Sequence, residues 1–256
     1  MSAPVSRRDE IEAGLHAVRE RIATACAEAG RDPDDVHLIV VTKTFPADDV
    51  RILAELGVAD VGENRHQEAV GKHAECVGLG LTWHFVGALQ TNKAAAVAEY
   101  ADVVHSVDRG RLVRALGKAV ERSGRRLRCL VQVDLDTVDS AGGTADTADA
   151  ASAAGDATAG GRRSGARPDD VLALAAEMSA QPLLDVGGVM GVAPLGGDPE
   201  PAFRRLAEIG AALRTEHPGA TTVSAGMSGD LEVAVKCGAT HVRVGSAVLG
   251  ERPPLR

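Results

Sequence analysis

Apolar residues along the chain fall into two alternating patterns. The first is helical: Ile11, Leu15, Val18 and Ile22 recur at spacings of four, three and four, one face of a helix. Ser6 with Asp9 three residues later supplies a capping start, and Gly30 with Pro33 supplies a stop. The second pattern is a series of short continuous apolar runs such as Leu38-Ile39-Val40-Val41, the signature of parallel strands buried on both faces. These runs predict strands over 37–42, 59–63, 82–88, 103–107, 129–135, 183–192, 221–225 and 241–244. Between them, helices are predicted to start near Pro46, Asn64, Thr91, Arg109, Pro168, Pro199 and Ser228. Eight strands alternating with helices is the count of an α/β fold of the (β/α)8, or TIM-barrel, type; an open doubly wound sheet is the runner-up.

One segment breaks the alternation. Residues 137–168 hold one valine and no Leu, Ile, Met or aromatic residue, so they cannot bury enough apolar surface to offset their ordering entropy. The segment reads as a low-complexity, disordered insertion within a single domain spanning 1–256, because the alternation resumes unchanged after it. Without it the chain keeps roughly 225 residues, within the range of one barrel.

Composition narrows the function. A net charge of −8 with 2% aromatic residues argues against nucleic acid as a partner. No apolar run approaches the roughly 18 residues of a membrane span, and 1–10 has no apolar core of a secretory signal. Cys26, Cys76, Cys129 and Cys237 form no CxxC pair, which points to reduced thiols in a cytoplasmic protein. No metal-binding spacing, G-x-S-x-G elbow or Walker loop is present. Lysine is scarce: Lys43, Lys72, Lys93, Lys118 and Lys236 among 28 basic residues.

Lys43 ends the run LIVVTK, at the strand end where barrel active sites lie. Desolvation there favours the neutral, nucleophilic amine; the alternative is a lysine reaching to solvent. SAGMSGD (224–230) and VRVGSAVLG (242–250) fall at the ends of strands seven and eight, the usual phosphate site of a barrel. Ser228 is placed to cap the next helix, and Gly245 and Ser246 offer backbone N–H groups; two ordinary glycine turns are the alternative. Arg243 alternates with Val242 and Val244, so it points into the barrel if those valines face the helices. A buried arginine needs an acceptor. Either a ligand or a carboxylate, Asp134 or Asp136, would serve. Asn64 and His84 lie near strand ends.

A lysine on strand one, a phosphate cradle after strands seven and eight and an inward arginine describe a pyridoxal 5′-phosphate (PLP) site. The sequence resembles the YggS/PROSC-type PLP homeostasis proteins, whose fold is similar to the barrel domain of alanine racemase. The resemblance rests on VTKTFP, VGEN with Gln67-Glu68, WHFVGALQTNK, HSVDR, GVMGVAP, SAGMSGDLEVAV and VRVGSAVLG, in the family's order. It implies that Lys43 forms the internal aldimine with PLP and that Arg243 faces the pyridine nitrogen. By the same resemblance Ser228, Gly245 and Ser246 hold the phosphate, and Asn64 and His84 lie near the cofactor. Arg65 stands where the family commonly has an aromatic residue, and the insertion replaces a shorter loop. The implied function is intracellular PLP and amino-acid homeostasis without turnover. The lone tyrosine, Tyr100, is expected at the far end of the barrel, leaving no opposing acid–base group, and no second domain like the racemase's is expected. A single-domain PLP racemase is the alternative. PLP-dependent apo-enzymes are the implied partners, and a monomer is expected over a dimer.

Overall fold

The computed structural model describes residues 6–136 and 165–251. Among these, eight strands close into a parallel barrel in sequence order: β1 His37–Val41, β2 Asp60–Glu63, β3 Thr82–Phe85, β4 Val103–Val107, β5 Leu127–Gln132, β6 Leu184–Met190, β7 Thr222–Ser224 and β8 His241–Val244. β8 returns to β1 with His37 opposite His241 and Val40 opposite Val244, so the sheet has no free edge. The helices are α1 Arg7–Ala29, α2 Ala47–Glu55, α3 His66–Glu75, α4 Ala94–Ala98, α5 Gly110–Ser123, α6 Val171–Ser179, α7 Glu200–Glu216, α8 Leu231–Lys236 and the single turn α9 Ser246–Leu249. The barrel expected from the strand count is the observed fold, and the doubly wound sheet is excluded by closure.

Alternation along each strand sorts side chains into two layers. Val40, Val61, Trp83, Val242 and Val244 pack outward with Ile11, Leu15, Val50, Leu53, Leu231 and Val235. Val104, Cys129, Val131 and Val189 pack outward with Leu112, Leu116, Met178, Phe203 and Leu206. Each fully buried leucine or isoleucine in these layers contributes about 1.5–3 kcal/mol. The inward positions carry a small apolar group, Val103, Leu130 and Met190, and a set of polar residues. Strand five starts at Leu127, two residues before the expected 129, because the exposed Arg128 interrupts the apolar run without interrupting the pairing.

α1 is capped as its sequence requires. The Ser6 side chain accepts from Asp9 N–H, the Asp9 carboxylate accepts from Ser6 N–H, and Gly30 closes the helix at φ +64°. Its buried face packs on α8 and on α9, the short helix that follows β8. Gly14 makes this approach possible, since a Cβ there would meet the Val248 carbonyl oxygen at 2.4 Å.

Residues 137–164 of the expected insertion lie outside the described residues. Its last part belongs to the barrel: Ala166 is buried, donates to the Gln132 carbonyl at 2.7 Å and accepts from Asp134 N–H at 2.9 Å. Gly165 passes so close that a Cβ would meet Asp134 N at 2.5 Å. The insertion therefore ends before Gly165 rather than at Pro168.

Candidate functional site

β1 ends at Val41, and Phe45 N–H donates to the Thr42 carbonyl at 3.1 Å to close a turn that carries Lys43 at the C-terminal mouth of the barrel. Lys43 is half-buried. Thr44, next to it, has φ +70°, a strained conformation for a β-branched residue, costing about 1–3 kcal/mol. The turn is held from two sides. Thr44 N–H donates to Glu68 Oε2 at 3.0 Å. Beneath it, Lys72 Nζ donates to the Thr42 carbonyl at 2.7 Å and to Glu63 Oε1 at 2.5 Å, and the Thr42 hydroxyl donates to the same oxygen at 2.6 Å. Glu63 and Lys72 are both buried, and burial pushes the Glu63 carboxyl up against the opposing pull of Lys72. Sequence reasoning missed this clamp. Its signal was legible: Lys72 falls three residues after Ala69 and four before Cys76, on the buried face of α3. Arg65 is exposed and pairs with Glu68 at 3.5 Å.

The ends of β7 and β8 are built from small residues. Gly226 accepts through its carbonyl from Arg243 N–H at 2.9 Å, so the segment after β7 stays paired with β8. Gly226 has φ +88°, and a Cβ there would meet Ala234 Cβ at 2.7 Å; its freedom serves the turn into α8. Ser228 lies in the turn before α8 and is not the helix cap. That position belongs to Asp230, whose Oδ1 accepts from Met227 N–H at 2.6 Å. On the neighbouring strand Gly245 opens α9. Its carbonyl accepts from Val248 N–H, which leaves the Ser246 and Ala247 N–H groups ahead of the first intrahelical bond. A Cβ on Gly245 would sit 3.1 Å from the Val41 carbonyl, so this turn abuts the strand that carries Lys43. Ser228, Gly245, Ser246 and Lys43 thus stand at one end of three adjacent strands.

Arg243 points into the barrel, since Val242 and Val244 face the helices. It is buried, and its partners are neutral: NH1 donates to Ser224 Oγ at 2.6 Å and NH2 to the Gly191 carbonyl at 3.0 Å. Asp134 and Asp136 lie beyond the end of β5 and are not its acceptors; Asp134 Oδ1 accepts from Asp136 N–H. Burial lowers the Arg243 guanidinium to about 10, with Asp230 opposing, so it stays cationic at neutral pH. Because Ser224 and Gly191 mark the ends of β7 and β6, the guanidinium spans three strands at the mouth.

Asn64 follows β2 at the same end. Gly87 makes room for it: a Cβ there would meet the Asn64 backbone oxygen at 2.2 Å and Oδ1 at 2.3 Å. His84 lies inside the barrel with both ring nitrogens engaged, Nε2 with Asp60 Oδ1 at 2.9 Å and Nδ1 with His105 Nε2 at 2.8 Å. Tyr100 precedes β4, and its ring packs against His66 and His73 of α3, outside the barrel. Among the described residues no group of His, Cys, Asp and Glu side chains is suited to a metal ion, and no helix is long and apolar enough to cross a membrane.

The family model described as alanine racemase, N-terminal domain, matches residues 156–253. A protein of Mycobacterium tuberculosis named pyridoxal phosphate homeostasis protein is 42% identical over 98% of this chain and 96% of its own length. Among solved structures, PipY of Synechococcus elongatus with PLP bound is 32% identical, with a TM-score of 0.70 over 90% of this chain and all of that one. Alanine racemase of Corynebacterium glutamicum shares the fold alone, at 17% identity and a TM-score of 0.60, and this chain covers 63% of its length. With the mouth of the barrel assembled from the motif residues and near-complete alignment at this identity, the chain belongs to the family of pyridoxal phosphate homeostasis proteins.

Proposed function

We propose that this chain binds PLP at the C-terminal mouth of its barrel and serves PLP homeostasis as a carrier without turnover. The observation that carries the reading is the convergence of an amine, a turn rich in backbone donors and a buried guanidinium on β1, β7 and β8. The residues present fit the group. Lys43 supplies the amine for the aldehyde carbon. Ser228 and the N–H groups from Gly245 to Ala247 suit a phosphate, which the first turn of a helix favours. The structure gives Arg243 two protein acceptors for five N–H donors, so it has donors to offer a ring nitrogen. Asn64 lines the same end. His84, with both nitrogens engaged, acts from within the barrel rather than as a direct contact.

When bound, PLP supplies an aldehyde that captures amines and a ring that accepts electrons from an attached amino acid. Arg243 can only donate and keeps its proton, so a ring nitrogen held against it would stay unprotonated and the ring would be a weak electron acceptor. The Tyr100 hydroxyl is held outside the barrel, where burial, with Glu63, pushes it up from its ordinary value. Both features favour carriage over turnover. The names of the relatives support the homeostasis role; the proposal adds PLP-dependent apo-enzymes as recipients and a monomer as the working form.

The test is absorbance titration with PLP, followed by deuterium exchange at Cα of alanine. Native protein should develop a visible band that Lys43→Ala lacks, with exchange no faster than free PLP gives. Arg243→Gln, which keeps a donor, should retain PLP; Arg243→Glu, if folded, should speed the exchange. Absence of the band refutes PLP binding, and native exchange well above free PLP favours the racemase-like alternative.

A further inference from the structure

Five polar side chains on five strands form one hydrogen-bonded chain through the barrel. Asp60 stands at the start of β2, at the base. Its Oδ1 meets His84 Nε2 at 2.9 Å, His84 Nδ1 meets His105 Nε2 at 2.8 Å, and His105 Nδ1 meets Ser224 Oγ at 3.0 Å. Ser224 Oγ in turn meets Arg243 NH1 at 2.6 Å. The chain climbs from the base of the barrel to its mouth. Asp60 lies outside the quoted motifs, His105 opens HSVDR with no role implied for it, and the function above uses neither.

With Asp60 ionised and both imidazoles neutral, the donor inventory allows one orientation with every link made. An ionised Asp60 only accepts, so His84 carries its hydrogen on Nε2 and presents a bare Nδ1. His105 must then donate from Nε2 and present a bare Nδ1 to the Ser224 hydroxyl hydrogen. Ser224 Oγ is left to accept from Arg243, which can only donate. Each imidazole carries one hydrogen, and every donor points from Arg243 toward Asp60. Reversal would need a protonated Asp60 and would leave the Ser224 hydrogen without an acceptor among the described residues. In a low-dielectric interior such links polarise one another.

The Asp60 end reaches solvent. Its side chain is 19% exposed and lines a cleft of about 540 Å³ at the barrel base, with Arg19, Glu20, Pro33, His37 and Gly57. Other charged or titratable groups flank the chain. His37 and His241, stacked on each other from β1 and β8, bear on Asp60, and Arg128 of β5 bears on His241. His241 also bears on His105, and Asp230 bears on Arg243 from beyond β7.

We propose that Asp60, His84, His105 and Ser224 are positioning residues for Arg243: a one-way hydrogen-bond chain through which a carboxylate at the barrel base holds the guanidinium at the mouth and sets what it offers a bound ring. The inference rests on the PLP reading for its consequence, but its geometry does not. A protonated His84 would have to donate from both nitrogens. That turns the His105 tautomer and then the Ser224 hydroxyl, so a charge change near the base is read at Arg243.

Nitrogen-15 NMR of the imidazoles in cofactor-free native protein at pH 7 tests the chain itself. Both His84 and His105 should carry one hydrogen, on Nε2. An Nδ1–H tautomer or an imidazolium at either position overturns the proposal. The second readout is the pH midpoint of the visible band of PLP-loaded protein. Asp60→Asn should move that midpoint by on the order of half a pH unit, with the amount of PLP fixed to Lys43 by borohydride unchanged, and Asp60→Glu should restore it in part. A folded, PLP-loaded Asp60→Asn protein with the native midpoint also overturns it. If native protein takes up no PLP, the proposed function fails and the tautomers alone decide the chain. If Asp60→Asn fails to fold, the native tautomers again decide.

Discussion

On β8, Val242 and Val244 belong to the apolar layer beneath α1, α8 and α9, while Arg243 between them reaches Ser224 and Gly191 across the barrel mouth. β3 repeats the arrangement, with Trp83 and Phe85 outside and His84 inside. The outer face of the sheet is held by non-directional burial, which tolerates any well-packed apolar set. Much of the inner face is held by directed hydrogen bonds, where each group needs its particular partner. Substitution outside should therefore cost stability and leave chemistry alone, whereas substitution at the mouth should do the reverse.

The largest effects should come from sites that break this division or confirm it. Phe203→Ala, in the outer layer, should lower the unfolding free energy by about 3–5 kcal/mol in urea titrations while the folded fraction keeps its full PLP content. Lys72→Met should cost a similar 3–5 kcal/mol by stranding the buried Glu63 charge, and should also reduce PLP uptake because the turn carrying Lys43 loses its clamp. Full uptake by folded Lys72→Met protein would show that the clamp serves stability alone.

The histidines give a smaller, pH-dependent effect. Burial pushes His241 down to about 3, and His37 and His84 add to the shift; burial likewise pushes His105 well below its ordinary value. The unfolded chain takes up protons at both below about pH 6.5, and the folded chain does not. Their contribution is complete above pH 6.5 and is lost as the pH falls from there toward the folded values, at up to about 1.4 kcal/mol per pH unit for each. Between pH 6.5 and 5, His241→Asn should flatten the stability slope by about that amount. An unchanged slope would mean that His241 is protonated in the folded protein.

The smallest effect concerns the insertion. Replacing 137–164 with a short Gly/Ser linker, with Gly165 and Ala166 kept, should change stability by less than about 1 kcal/mol, since loop closure costs about 0.6 kcal/mol per doubling of length. A large drop in Tm would show that the segment packs on the barrel. Extending the deletion through Ala166 should cost more, because Ala166 bonds to both Gln132 and Asp134.

The outer face was legible in the sequence because periodicity reports burial. The runs 37–42, 103–107 and 241–244 and the face Ile11-Leu15-Val18-Ile22 appear in the structure nearly as read. The inward direction of Arg243 was legible for the same reason. Its acceptors were not, because Ser224 and Gly191 lie 19 and 52 residues away and only closure of the sheet brings them together. The pairing of Glu63 with Lys72, nine residues apart, was hidden differently: Lys72 looks like one more surface charge until the buried face of α3 is drawn through Ala69 and Cys76. Ser228 was misplaced as a helix cap because two residues, Gly229 and Asp230, separate it from α8, and nothing in SGD distinguishes a turn from a first helical turn.

The central claim is that the mouth of the barrel, and no other part of the chain, holds PLP through Lys43. Borohydride reduction of the PLP-loaded native protein, followed by peptide mass spectrometry, tests it most directly. The modification should fall on Lys43 alone and disappear in Lys43→Ala. Modification of Lys72, Lys93, Lys118 or Lys236 with Lys43 left unmodified would contradict it.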